Sequence, residues 1–62
     1  MNEVENLTHR LGLEYGLTYR CAVNLEGTID NMMYYGMKLD QAEYLIRDIL
    51  DNIEYIDENE NE

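Results

Sequence analysis

The side chains of this chain that could do chemistry are one histidine, one cysteine and 14 carboxylates. Acid–base catalysis requires two such groups in a cleft whose surroundings separate their pKa values. His9 has only Glu5 one helical turn before it, which is the spacing of an exposed helix pair. Cys21 recurs with apolar residues at helical spacing, which favours an inert, buried thiol. We therefore predict that the protein is not an enzyme.

The same inventory argues against a metal or a cofactor. One histidine and one cysteine cannot make a Cys/His zinc cluster, and a single cysteine cannot form an internal disulfide. An EF-hand loop needs oxygen ligands at fixed intervals and a glycine at its sixth position. The acidic stretch DNIEYIDENENE lacks that pattern. We expect no bound metal and no cofactor.

The formal charge is −10, from 14 acidic and 4 basic residues. Such a charge repels nucleic acids and anionic lipids. No apolar run approaches the roughly 18 residues of a membrane span, and the opening residues MNEVENLTHR lack the basic and apolar regions of a secretory signal. The lone Cys21 is typical of a reducing compartment. We expect a cytoplasmic protein that binds neither nucleic acid nor membrane directly.

Three helices must position these side chains. Because proline is absent, glycine has to provide the backbone breaks. Gly36 has the C′ position of a helix ending at Tyr35, with Met37 as its hydrophobic cover, and Asp40 and Glu43 have capping-box spacing for the next helix. These patterns predict a small all-α, three-helix domain with a helical hairpin about Gly36. The predicted helices are at about residues 3–15, 18–35 and 41–57.

The middle helix has one open alternative. Gly27 lies opposite its apolar stripe, so a continuous helix costs only about 1 kcal/mol relative to alanine. A break at Gly27, with Thr28 as a new N-cap, is the other interpretation. The predicted apolar stripe of this helix consists of Cys21, Ala22, Leu25, Ile29, Met32 and Met33.

The last helix has an apolar stripe and an acidic side. Arg47 has Glu43 and Asp51 four residues to either side, so it is expected to pair with both. Residues 58–62 hold only acids and asparagines, so we predict a folded domain of residues 1–57 followed by a disordered acidic tail. The predicted core stripe of the last helix spans about 100° and comprises Ala42, Leu45, Ile46, Ile49, Ile53 and Ile56.

One candidate binding surface combines the acids of the last helix with two tyrosines. Against a basic groove, carboxylates can occupy the positions of phosphates and tyrosine rings those of bases. The alternative is an ordinary solvated helix face with tyrosines at the rim of the core. The predicted partner-binding residues are Asp40, Glu43, Tyr44, Asp48, Asp51, Glu54 and Tyr55.

A second candidate surface lies on the middle helix. Its side chains point away from the apolar stripe, and a glycine among them allows another helix to approach closely. A chain of about 60 residues also buries too little surface to be more than marginally stable alone. We therefore expect a homodimer. The predicted self-association residues are Tyr19, Val23, Gly27 and Tyr34.

These surfaces predict a small protein-binding regulator or inhibitor that docks on another protein, with a DNA- or RNA-binding protein as the expected partner. Small, very acidic proteins of phages and mobile elements often inhibit host enzymes, and this analogy of class, without a shared motif, favours an inhibitor. The alternative is a self-associating helical hairpin that serves as an adaptor or structural dimer, in which the charge only gives solubility.

Overall fold

The computed structural model describes the backbone of residues 2–60 and the side chains of residues 2–53. The chain forms three α-helices, and no strand occurs in residues 2–60. The prediction of an all-α, three-helix fold is confirmed. The predicted tail, residues 58–62, lies beyond the side chains that the structure describes. The helices are α1 (Glu3–Tyr15), α2 (Tyr19–Tyr34) and α3 (Leu39–Glu60).

Helix α1 begins and ends with the local contacts that its sequence indicates. The backbone N–H of Glu5 donates to Asn2 Oδ1 at 2.8 Å, and the N–H of Asn2 donates to Glu5 Oε1 at 2.9 Å. This reciprocal capping box satisfies two N–H groups that the first turn would leave without partners. At the other end Gly16 is left-handed, with φ of 65°, and the N–H of Leu17 donates to the Gly12 carbonyl at 3.0 Å. That contact ends the helix and turns the chain back.

Helix α2 passes through Gly27 without a break. Its N-cap is Thr18, whose hydroxyl oxygen accepts from the N–H of Cys21 at 3.1 Å. The hydroxyl of Thr28 donates to the Asn24 carbonyl at 3.0 Å, which is the back-bonding of a threonine inside a helix. The alternative of a new N-cap at Thr28 is therefore wrong.

The hairpin about Gly36 forms as predicted. Gly36 has φ of 105°, and the N–H of Met37 donates to the Met32 carbonyl at 3.0 Å. Helix α3 then begins at Leu39, two residues earlier than predicted. The reason is that Gln41 Oε1 accepts from the backbone N–H of Lys38 at 3.2 Å, so Lys38 precedes the first turn. The predicted capping box of Asp40 and Glu43 is wrong, because Asp40 lies within the helix and Glu43 pairs with Arg47.

The helices enclose a small apolar core. Its buried members come from one line on each of α1 and α3 and from the middle of α2. Thr8, which is also buried, donates its hydroxyl to the Val4 carbonyl at 3.1 Å, so no hydrogen-bonding capacity is lost there. The buried apolar side chains are Val4, Leu7, Leu11, Ile29, Ala42, Ile46 and Leu50.

The predicted core stripe of α3 is only partly right. Leu50, which the prediction left out, is 6% exposed, whereas Leu45, Ile49 and Ile53 are 39%, 46% and 48% exposed. The core line therefore runs from Ala42 through Ile46 to Leu50, on one side of the predicted stripe. Ile56 lies outside the described side chains. The shift arises because α1 packs on one flank of α3 and brings Leu50 inward, which leaves the other flank of the stripe half-exposed.

No helix in the described part of the chain has the length and apolarity needed to cross a membrane.

Candidate partner-binding surfaces

The outward side of α3 carries acids and a tyrosine together. Asp40, Tyr44, Asp48 and Asp51 are all exposed, and Tyr44 is 75% exposed. At about 100° per residue these four side chains fall within an arc of about 80°, roughly opposite the buried line of the helix. We call this set the acidic face of α3.

Glu43 lies outside the acidic face. It is half-buried on the flank of α3 that packs beside α1, where its Oε2 accepts from Arg47 Nε at 2.9 Å. The two remaining residues of the predicted partner-binding set, Glu54 and Tyr55, lie beyond the side chains that the structure describes. The acidic face therefore gathers four of the seven predicted residues, and their role in binding stays a prediction.

Arg47 pairs with α1 as well as with its own helix. Its Nη1 and Nη2 donate to the two carboxylate oxygens of Glu14, at 2.6 and 3.1 Å. The predicted pair with Glu43 is present, but the predicted pair with Asp51 is not. Asp51 instead accepts from the hydroxyl of Tyr15 at 2.8 Å. The expectation about Asp51 failed because α1 presents both a carboxylate and a phenol to this flank of α3.

These contacts change the acidity of the groups involved. The hydrogen bond from Arg47 lowers the pKa of the Glu14 carboxyl. The bonds to Glu14 and Glu43 raise the pKa of Arg47, so its guanidinium is always charged. The hydrogen bond to Asp51 raises the pKa of the Tyr15 phenol. Arg47, the one basic residue in the sequence of α3, is thus held by Glu14 of α1 and by Glu43 at the border of the acidic face.

The predicted self-association residues also share one side of their helix. Tyr19 and Tyr34 are 85% and 82% exposed, Val23 is half-exposed, and Gly27 is exposed with space for an added Cβ. These four residues fall within an arc of about 80° on α2. Beside Val23, α1 and α2 border a groove of about 270 Å³. The structure therefore places the four side by side, and self-association through them stays a prediction.

The two groups considered for catalysis lie in different places. His9 lines the groove between α1 and α2, whereas Cys21 is half-buried and lines a groove next to the turn between those helices. No cluster of three His, Cys, Asp or Glu side chains that could hold a metal ion occurs within the described residues. Because they line different grooves, His9 and Cys21 are not brought together as a nucleophile and its base.

The half-exposed flank of α3 was predicted to belong to the core and was therefore missed as a surface. Leu45, Ile49 and Ile53 form this flank, four residues apart. The sequence held no signal that separates this flank from the core, because an apolar stripe of about 100° is the ordinary width of a core-facing helix surface.

The candidate sites of this molecule are therefore two surfaces, the acidic face of α3 and the tyrosine-bearing side of α2. Comparison with protein-family models, with curated proteins and with solved structures finds no match to this chain.

Proposed function

We propose that this protein is a small acidic regulator or inhibitor that docks on another protein through the acidic face of α3. The proposed partner is a DNA- or RNA-binding protein. One observation carries the proposal: the guanidinium of Arg47 forms its ion pairs with Glu14 and Glu43, which lie outside the acidic face. The face therefore presents three carboxylates and an aromatic ring, and none of these three carboxylates is paired with Arg47.

The spacing of the acidic face supports docking in a groove. Asp40 and Asp48 are eight residues apart, so they lie about 12 Å apart along the helix axis, with Tyr44 midway. A groove that binds nucleic acid offers Lys and Arg side chains for phosphates and flat surfaces on which bases stack. Two carboxylates can take the place of phosphates, and the ring between them can take the place of a base.

Two features prepare the acidic face for binding. Tyr44 is largely exposed, and a tyrosine ring contributes a large contact area with few rotatable bonds to fix. Asp51 is held by the hydroxyl of Tyr15, so its carboxylate is oriented before a partner arrives. A surface that is already ordered loses less conformational entropy on binding.

The net charge of −10 supports the same mode of docking. Opposite charges on two proteins steer their encounter and raise the association rate, and salt screens this attraction.

The proposed role requires no catalysis, which agrees with the separate positions of His9 and Cys21. We place the protein in the cytoplasm, where Cys21 stays reduced and where nucleic-acid-binding proteins are available as partners.

The exposed tyrosines of α2 favour a second candidate function. Tyr19 and Tyr34, at 85% and 82% exposed, flank Val23 and Gly27 on one side of the helix. Tyrosines in such an arrangement are common anchors in interfaces. In this case the protein is a self-associating helical adaptor or structural dimer, and the charge serves solubility alone. Salt separates the two candidates, because it weakens docking by charge and leaves packing between tyrosine-bearing faces largely unchanged.

The test is capture of partners by the tagged full-length protein from the lysate of its source cell, with parallel washes at low and high salt. We expect a nucleic-acid-binding protein that is retained at low salt and released at high salt. The untagged protein should then displace DNA or RNA from that partner. Recovery of the protein alone, or of a partner that salt does not release, would contradict docking through the acidic face.

A further inference from the structure

A groove opens along one edge of the acidic face, at the start of α3. Its volume is about 410 Å³. Two of the residues that line it, Asp40 and Tyr44, belong to the acidic face, so the groove continues that surface towards the hairpin. We call it the Asp40 groove. Its lining residues are Met37, Asp40, Gln41, Tyr44 and Leu45.

The Asp40 groove combines apolar surface with one carboxylate and one aromatic ring. Met37 is half-buried and packs on the core, and Leu45 is 39% exposed. Asp40 and Tyr44 are both exposed and lie four residues apart, which makes them neighbours on one side of the helix. The groove therefore offers cover for an aliphatic chain beside a negative charge and a flat ring.

Asp40 brings its charge to the groove without a paired cation. Within the described side chains, both ion pairs belong to Arg47. Lys38, the basic residue nearest to Asp40 in the chain, takes part in neither pair and does not line the groove. The Oδ1 atom of Asp40 accepts from the backbone N–H of Gln41 at 2.9 Å. That hydrogen bond orients the carboxylate at the first turn of α3 and leaves its charge available to a partner.

Arginine is the side chain whose chemistry matches these walls. Its planar guanidinium can donate two parallel hydrogen bonds to a carboxylate and can stack on a tyrosine ring. Its aliphatic stem covers apolar surface while the charge stays at the rim. A lysine ammonium carries the same charge, but it is more strongly hydrated and lacks the planar fork. We infer that the Asp40 groove is the subsite for one arginine side chain of the partner protein.

This inference rests on the proposed function and deepens it, because it names the residue type that the edge of the acidic face selects. Proteins that bind nucleic acids carry arginines and lysines that neutralise phosphates. An arginine of this kind meets the carboxylate of Asp40 in place of a phosphate and the ring of Tyr44 in place of a base. Asp48 and Asp51 remain available to the other basic groups of the partner.

Charge separates the Asp40 groove from the neighbouring groove at the hairpin. The two grooves meet at Met37 and Gln41, which line both. The hairpin groove is larger, at about 500 Å³, but none of its lining residues is charged. Its size is therefore not matched by any group that selects a cation. The complementarity to arginine is confined to the side of Met37 on which Asp40 lies.

The groove between α1 and α2 provides an internal control. Glu5, Glu26 and Tyr19 line it, so its charge also attracts cations. It differs in two respects, because His9 lines it as well and the carboxylate of Glu5 already accepts from the backbone N–H of Asn2. A change of charge in this groove distinguishes selection at Asp40 from attraction to any acidic groove.

The experiment is an NMR titration of the isotope-labelled, full-length protein at low salt. The probe is a short peptide of one arginine flanked by alanines and blocked at both ends. The matching lysine peptide should bind about twofold more weakly or worse, since it lacks the planar group that stacks on the ring. The matching citrulline peptide keeps the shape without the charge and should cause little shift. We expect the largest shifts from the arginine peptide at Asp40, Gln41, Tyr44 and Leu45.

Matched variants locate the subsite. Asp40→Asn removes the charge but keeps an oxygen for the N–H of Gln41, and it should weaken binding of the arginine peptide by about threefold. Glu26→Gln makes the same change of net charge in the groove between α1 and α2 and should leave the affinity at the Asp40 groove unchanged. Circular dichroism checks that both variants keep their helices.

Three results would overturn the inference: equal weakening by the two variants, equal affinity for the arginine and lysine peptides, or shifts spread evenly over the acids of the molecule. Each would show attraction by net charge alone. If a salt-sensitive partner is captured from lysate while the arginine peptide misses the Asp40 groove, this inference fails and the proposed function stands. Binding of the peptide in the groove without any captured partner would count against the proposed function instead.

Discussion

The hydroxyl of Tyr15 in α1 donates a hydrogen bond to the carboxylate of Asp51 in α3, across 2.8 Å. The residue before it, Glu14, receives two hydrogen bonds from Arg47, one helical turn before Asp51. Two neighbouring residues of α1 therefore hold two residues of α3, Arg47 on its flank and Asp51 at the adjoining edge of the acidic face. These contacts set how α3 is rotated, and so decide which of its acids face outward.

The pKa of Tyr15 should respond to the loss of its acceptor. The bond to Asp51 raises the phenol pKa above its ordinary value of 10.0, so Asp51→Asn should move the phenolate titration to lower pH. A raised pKa means that this bond stabilises the folded state below pH 10.0 and is lost as pH rises through the folded value. Ultraviolet absorbance of the phenolate measures the titration, and Tyr15→Phe identifies which transition belongs to Tyr15. Asp48→Asn is the control, and an equal shift in that variant would contradict the assignment.

Replacing Glu14 by glutamine should lower the melting temperature near neutral pH, because Arg47 then keeps only Glu43 as a charged partner. The pKa of Glu14 is lowered from its ordinary value of 4.5, so the carboxylate stabilises the folded state above that pH. The contribution is lost as pH falls through the lowered value. The melting temperatures of wild type and Glu14→Gln should therefore converge in acid. Asp30→Asn, which removes an exposed acid from α2, should show no such convergence, and parallel curves for Glu14→Gln would count against the pair.

Truncation of Ile29 should strongly lower the free energy of unfolding. This side chain is fully buried and is the one buried apolar residue that α2 contributes. Ile29→Ala leaves a cavity and should cost about 2–5 kcal/mol of unfolding free energy. Leu13→Ala removes a similar volume from a side chain that is 73% exposed and should change stability by about 0.5 kcal/mol or less. Urea unfolding followed by circular dichroism measures both, and similar losses for the two variants would contradict the core described above.

Replacement of Gly27 and of Gly16 by alanine should change stability in opposite directions, because the two glycines differ in backbone conformation. Gly27 lies within α2 with space for an added Cβ, so Gly27→Ala should stabilise the protein by up to about 1 kcal/mol. Gly16 is left-handed at φ of 65°, so Gly16→Ala should destabilise it by about 1–2 kcal/mol. Thermal unfolding measures both. If Gly27 is the point at which another helix approaches, Gly27→Ala should also weaken self-association, and an unchanged dimer would count against the predicted α2 interface.

Much of the fold follows from local signals in the sequence. The capping box of Asn2 and Glu5 and the left-handed glycines at Gly16 and Gly36 depend on contacts within a few residues. Such contacts form wherever the local sequence allows them, so the number and type of helices were predictable. The unbroken course of α2 through Gly27 was the preferred of two open interpretations, and it also follows from a local cost.

The orientation of α3 depends on contacts that local spacing cannot show. Arg47 meets Glu14, which is 33 residues away in the chain, and Tyr15 meets Asp51 at a separation of 36. The periodicity of α3 allowed its core line to lie anywhere within a wide apolar stripe. The packing of α1 selected Leu50 for the core and left Ile49 half-exposed. For this reason the outward acids could be predicted from the sequence, but the pairing of Arg47 with Glu14 could not.

The affinity of the captured, salt-sensitive partner for variants of the acidic face tests the central claim most directly. Titration calorimetry should compare wild type with Tyr44→Ala/Asp48→Asn and with the matched pair Tyr19→Ala/Asp30→Asn on α2. We expect the first double variant to bind about tenfold more weakly or worse, with a shallower dependence on salt, and the second to bind like wild type. Equal affinities for all three proteins, or a loss confined to the α2 variant, would contradict docking through the acidic face of α3.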